Sequence, residues 1–258
     1  MYNEILTIGS FTIHGYGLMI GLGVLAALLL GDYRAKKLGL ESDHIYGMTF
    51  FAVILGFLAA KILFIITQWK AFVEAPLTFL SGSGFVVYGG IIGGAITIYG
   101  FCKLKKISVL EYLDLMIPSV ALAQAFGRIG CFLAGCCYGR ETDSCIGVIF
   151  TNSDFAPNGV KLLPTQLIMS AGDLFIMTVL LWYASKKPFK GRVSALYLIL
   201  YSIGRFFVEF LRNDDRGKVG SLSTSQFIAI FILFVGIAGY AVIAPKKYGR
   251  EKKEDVAK

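Results

Sequence analysis

Arg128 sits inside one of the most apolar stretches of the chain, residues 115–140. A guanidinium at the centre of a bilayer costs about 2.5–3.5 kcal/mol on insertion scales, so it is expected to face a cavity and hold an anion. Its planar fork matches the oxygens of a phosphate. Gly127 and Gly130 flank it, and Gln124 lies one turn earlier. Glycines keep the local surface open to close approach. The alternative for Arg128 is a snorkelling side chain that reaches the headgroups.

A second charged group lies at Arg205, Glu209 and Arg212, with Tyr201 one turn earlier. Spacings of three and four residues put them on one helix face. Ionisable residues inside a membrane helix mark function by default, although a neutralised Arg–Glu pair also serves structure. The third group is Tyr88, Gly89, Gly90, Gly93 and Gly94. Small residues four apart let helices pack closely, which accounts for Gly90 and Gly94. Tyr88 is either an interface anchor or a proton-transfer group. The fourth is His14 with Tyr16 between Gly15 and Gly17, where a phenol can approach a ligand.

Cys131, Cys136, Cys137 and Cys145 fall close together in sequence. They fit small apolar packing residues, disulfides in an oxidising compartment, or a metal or redox group. Their spacing has no nearby histidine and matches no common zinc pattern.

The elements that position these residues are membrane helices. Hydrophobic residues make up 56% of the 258 residues and charged residues 16%. Soluble domains carry about 25% charged residues. Seven apolar runs approach the ~20 residues that a spanning helix needs. They cover about 11–31, 45–67, 85–102, 113–133, 163–184, 193–212 and 224–244. The first is too long and glycine-rich, and lacks a basic start, to read as a cleaved signal peptide, so a permanent span is expected. The fold class is therefore an all-α membrane protein, a seven-helix bundle forming one polytopic domain over residues 1–258.

Of the 25 basic residues, sixteen fall after runs one, three, five and seven, six fall on the opposite side, and three lie within runs. The positive-inside bias then predicts an outer N-terminus and a cytosolic C-terminus. The net charge of +8 follows from this bias and from contact with anionic lipid. Basic residues scattered over short loops argue against nucleic-acid binding. The longest outer segment, about 138–162, holds the turn residues Pro157, Asn158 and Gly159.

Taken in order, these blocks resemble bacterial prolipoprotein diacylglyceryl transferases over essentially the whole chain. His14, Tyr16 and Gly17 look like that family's His-x-Tyr-Gly start. Tyr88 to Gly93 looks like its His-Gly-Gly-Leu-Ile-Gly block. Asp114 and Pro118, then Gly127, Arg128, Gly130 and Gly135 to Gly139, are similar to its signature region. Pro164, Thr165, Gln166 and Leu167 resemble its Pro-Ser-Gln-Leu. Gly191 through Tyr201, Arg205, Glu209 and Arg212 resemble its sixth span, and Ser225 and Gln226 its seventh.

The resemblance implies transfer of a diacylglyceryl group from phosphatidylglycerol to the lipobox cysteine of a preprolipoprotein, with release of glycerol phosphate, in the bacterial plasma membrane. It implies no metal and no organic cofactor. Arg128 would contact the phosphatidylglycerol headgroup, with Tyr201, Gly89, Gly90 and Gln166 completing the substrate site. Arg205 would stand near the scissile C–O bond, with Tyr88, Tyr16 and Glu209 as the other catalytic candidates.

The chain departs from the pattern at four places. Tyr88 replaces a histidine, Cys131 an asparagine and Cys136 a glutamate, and Leu163 stands where a histidine precedes the proline. Tyrosine, with a reference pKa of about 10, is a poorer base at neutral pH than histidine. These changes leave three rival readings: a different acceptor for the same lipid group, a lipid-binding or transport protein without covalent chemistry, and a thiol-redox protein.

Overall fold

A computed structural model describes residues 4–8, 11–81, 84–214 and 217–243. Seven of its helices are long and apolar enough to cross a membrane, as the apolar runs predict. The basic tail expected in the cytosol, from Lys246 to Lys258, lies outside the described residues.

The chain opens with an antiparallel hairpin, β1 (Glu4–Ile8) and β2 (Phe11–His14). Residues 11–14 are thus strand and not the start of the first span. A short aromatic and β-branched stretch reads as apolar either way, and only the helix start at Gly15 separates the two. Helix α1 (Gly15–Leu38) then runs past the expected end at residue 31. Asp32 accepts a hydrogen bond from Lys36 one turn later, at 2.7 Å. Lys36 and Lys37 occupy the last turn, where cations suit the helix dipole.

Helix α2 (Ser42–Thr67) follows, then two short helices, α3 (Trp69–Glu74) and α4 (Pro76–Ser81), where the sequence predicts only a loop. Next come α5 (Val87–Leu104) and α6 (Val109–Ala134). The long polar segment folds around the two-residue strands β3 (Val148–Ile149) and β4 (Lys161–Leu162). Helices α7 (Thr165–Ser185) and α8 (Arg192–Val208) come next, and a 3-10 turn (Glu209–Leu211) closes α8. The strands β5 (Lys218–Val219) and β6 (Leu222–Ser223) lead into α9 (Thr224–Val242).

The chain divides into two compact units. Residues 32–112 form one, and residues 1–31 with 113–258 form the other. In the smaller unit α2 and α5 pack backbone to backbone. A side chain at Gly89 would meet the Ala59 carbonyl at 2.6 Å, and one at Gly93 would overlap the Ala59 methyl. Gly94 has nothing within 4 Å. The tightest contacts therefore run through Gly89 and Gly93, while of the expected pair Gly90 stands in ordinary contact with Gly56 and Ala60 and Gly94 does not. Ala59 and Ala60 on α2 set that phase, and the spacing on α5 alone does not.

In the larger unit, Ala121, Ile176, Leu180, Val193 and Tyr197 bury a core between α6, α7 and α8. Asp114 fixes how α8 begins. Its carboxylate accepts from the Gly191 and Ser194 amides at 2.6 and 2.8 Å and from the Ser194 hydroxyl at 2.7 Å. An anion at a helix N-terminus is favoured by the free amides there. Gly191, at φ 94°, makes the left-handed turn that presents its amide. Asp114→Ala is expected to cost about 2–3 kcal/mol, because three donors lose a charged acceptor. The check is a lower melting temperature in detergent, with Asp114→Asn falling between the two.

A smaller cluster closes the polar segment. Phe150, Ala156 and Leu162 are buried against Phe132, Tyr138 and Val160. Asn158 bonds the backbone of Ser153 from both ends of its amide, and Gly159 takes φ 79°. The turn expected at Pro157 to Gly159 is therefore present. Its effect is to hold the segment that follows α6 in a fixed path.

Candidate active site

Arg128 projects from the last two turns of α6. Among the described residues it makes no hydrogen bond and no ion pair, while Tyr201, Cys131, Asp173 and Cys137 lie within electrostatic reach. A half-buried guanidinium in an apolar helix, with its donors left over, is set to receive an anion. The two flanking glycines differ. Gly127 has open space where a side chain would stand, as expected. Gly130 instead admits Tyr16 of α1, whose ring would lie 3.1 Å from a Cβ there. Tyr16 is 42% exposed and in electrostatic range of Arg128, Cys131, Cys136 and Cys137. Glycine at 130 thus brings Tyr16 to Arg128.

Helix α8 supplies the second arginine. Arg205 pairs with Glu209 at 3.3 Å and donates to the Ser225 hydroxyl of α9 at 2.8 Å. The Arg205–Glu209 pairing expected from the i, i+4 spacing is present. Arg212 departs from it. The 3-10 turn ends the helix, Arg212 is extended, and its guanidinium forms a two-bond pair with Asp214 at 2.7 and 3.0 Å.

Tyr201 stacks on Tyr197 at 5.6 Å, and Tyr197 donates to Gln124 at 2.6 Å. Between α7 and α8 lies a cavity of ≈ 50 Å³ lined by Tyr201, Arg205, Met169, Gly172, Gly204 and Asp173. Asp173 was not foreseen. It is 4% exposed, and both Arg128 and Arg205 act on it electrostatically. The signal was available, because Asp173 is the sole charged residue among residues 165–185.

The segment after α6 gathers the cysteines. Gly135 turns the chain at φ 75°, where a Cβ would collide with Ser153, and Cys137 takes φ 63°. The Cys136 amide donates to the Cys131 carbonyl at 3.1 Å. Helix α7 then clamps the turn. Gln166 donates to the Cys136 carbonyl at 2.6 Å and Thr165 to the Cys137 carbonyl at 2.7 Å. Gly139 and Arg140 add backbone bonds to Leu163 and Leu211.

The sulfurs of Cys131, Cys136 and Cys137 lie within 4.8 Å of one another. The Cys131 and Cys136 thiols hold Cys137 below the ordinary thiol range, and Arg212 and Arg128 add to this. Cys136 is pushed up by the Cys131 and Cys137 thiols and then by burial. Cys145 is exposed and not part of this group, and Cys102 is buried in α5.

Of the residues expected at the site, the larger unit brings together Tyr16, Arg128, Tyr201, Arg205 and Glu209. Gln166 is fully buried, and its amide holds the cysteine turn. Tyr88, Gly89 and Gly90 belong to the smaller unit, where Tyr88 is exposed near the start of α5.

A family model described as prolipoprotein diacylglyceryl transferase matches residues 3–242. The chain is 54% identical over 226 residues to a phosphatidylglycerol–prolipoprotein diacylglyceryl transferase of Clostridium tetani, covering 87% of this chain and 91% of that protein. It is 54% identical over 233 residues to one numbered 2 in Clostridium perfringens, covering 89% and 91%. To that of Clostridioides difficile it is 31% identical over 252 residues, covering 95% and 98%.

Proposed function

The chain belongs to the prolipoprotein diacylglyceryl transferase family, and from that premise we propose that it moves the diacylglyceryl group of phosphatidylglycerol onto a lipobox cysteine of a preprolipoprotein. A C–S bond forms between that sulfur and the glyceryl carbon. The C–O bond to phosphate breaks, and glycerol phosphate leaves. The thiol proton goes to a base, since the thiolate is the nucleophile.

Arg128 carries this reading: it is a guanidinium in an apolar helix with no hydrogen bond or ion pair among the described residues, in the same unit as Arg205. Arg128 holds the phosphate. Arg205 stabilises the charge that develops on the leaving oxygen, held in place by Glu209 and Ser225. Tyr16 and Tyr201 border the headgroup, and Asp173 balances the two arginines. Gln166 acts by holding the Cys136 turn. Tyr88, Gly89 and Gly90 belong to the smaller unit, where Gly89 is required for packing. The protein lies in the bacterial plasma membrane with its N-terminus outside, which the distribution of basic residues supports.

Expression in cells depleted of their own transferase tests the proposal. The expected result is restored growth and a prolipoprotein whose cysteine peptide gains one diacylglyceryl mass. Protein present in the membrane with no modified peptide would refute it.

A further inference from the structure

We propose that Cys131, Cys136 and Cys137 form a three-thiolate site for one soft divalent cation of the zinc class, with its fourth position open to the acceptor thiol. The second clause rests on the proposed transferase reaction, while the first does not.

The geometry fits a metal better than a disulfide. Three sulfurs bound to one ion at about 2.3 Å stand about 3.8–4.0 Å apart. The three thiols already lie within 4.8 Å of one another, so small side-chain rotations close the set. A disulfide uses two sulfurs and strands the third. Its vicinal form, Cys136 to Cys137, joins α-carbons closer together than disulfides usually span.

The backbone is committed to this convergence. Cys137 is held at φ 63°, a conformation that few non-glycine residues adopt. Gln166 and Thr165 fix the carbonyls of Cys136 and Cys137, and the Cys136 amide fixes that of Cys131. Such outer bonds orient metal ligands.

Positive charge stands near the site as well. Three thiolates on a divalent ion carry one net negative charge, which is costly to bury unless paired. Arg128 and Arg212 both lie within electrostatic reach of Cys137. Three protein ligands with an open fourth position is the arrangement of catalytic zinc, whereas structural sites are closed by four. The soft ligand suited to that position is another thiol. A thiol bound there loses its proton to water and becomes the thiolate that transfer requires.

The test uses the full-length protein, purified reduced and metal-free in detergent and titrated with cadmium. One cadmium per chain and a sulfur-to-metal absorption band are expected. Each of Cys131→Ser, Cys136→Ser and Cys137→Ser should weaken binding at least about tenfold, and Cys145→Ser should not. No stoichiometric band in the wild-type protein, or a band that survives the triple replacement, overturns the site. So does a two-hydrogen mass deficit at these cysteines in protein purified without reductant under anaerobic conditions.

A cysteine-containing lipobox peptide should shift the band, and its serine counterpart should not. A band that the cysteine peptide leaves unchanged removes the acceptor from the fourth position. Metal binding without diacylglyceryl transfer overturns the proposed reaction alone. Transfer by protein that binds no metal overturns the metal site alone.

Discussion

Arg128→Ala is expected to lower diacylglyceryl transfer by about 10³-fold, a loss of about 4 kcal/mol at the transition state. The size follows from what the side chain lacks. It has no hydrogen bond or ion pair among the described residues; Asp173 acts on its charge from a distance, but its donors have no internal compensation. The compensation arrives with the lipid phosphate. Inside a site of low dielectric, that pairing is much stronger than in water. Because Arg128 makes no hydrogen bond or ion pair among the described residues, the variant should melt within a few degrees of wild type, and the loss should be in activity. Arg128→Lys keeps the charge but gives up the planar fork, so it should regain only part of the rate. Transfer from labelled phosphatidylglycerol to a lipobox peptide, measured beside melting curves, separates the two quantities. A folded Arg128→Ala enzyme at full rate would remove Arg128 from the site.

The seven spans were legible because bilayer thickness imposes a length on every one of them. Their ends were less so. The hairpin at residues 4–14 is too short and too apolar to stand out from the run that follows it. The end of α1 was hidden because Asp32 and Lys36 cancel within the helix, and the charges read as a loop. Arg128 and Arg205 were legible for a simple reason: charge among apolar residues has few bland explanations. Asp173 carried the same signal and needed only the same rule. The cysteine cluster was not legible. Its convergence depends on two left-handed residues, Gly135 and Cys137, and on clamps from Thr165 and Gln166 almost thirty residues later. Sequence spacing carries none of that. The same limit applies to Gly89 and Gly93, whose packing face is decided by alanines on another helix.

Arg205→Ala should fall by about 10²–10³-fold in kcat, with a different signature from Arg128. Arg205 is already engaged, at 3.3 Å to Glu209 and 2.8 Å to Ser225. Removing it deprives a nearly buried carboxylate of this cation, so the variant should also lose about 3 kcal/mol of stability. Stability loss alone can mimic a catalytic defect, and the partner residue provides the control. Arg205→Ala combined with Glu209→Gln removes both charges of the pair. The double variant should recover most of the melting temperature and none of the rate. If activity returned with stability, Arg205 would be a structural partner of Glu209 and nothing more. The contrary expectation rests on the surroundings. Burial costs Arg205 most, and Arg212 and Arg128 add like charge. A fold seeking only stability would not collect two further guanidinium groups within electrostatic range of Arg205, which itself lines a ≈ 50 Å³ cavity. An anion that develops there during C–O cleavage offsets that repulsion as it forms, and this is the condition for lowering a barrier and not merely tightening binding.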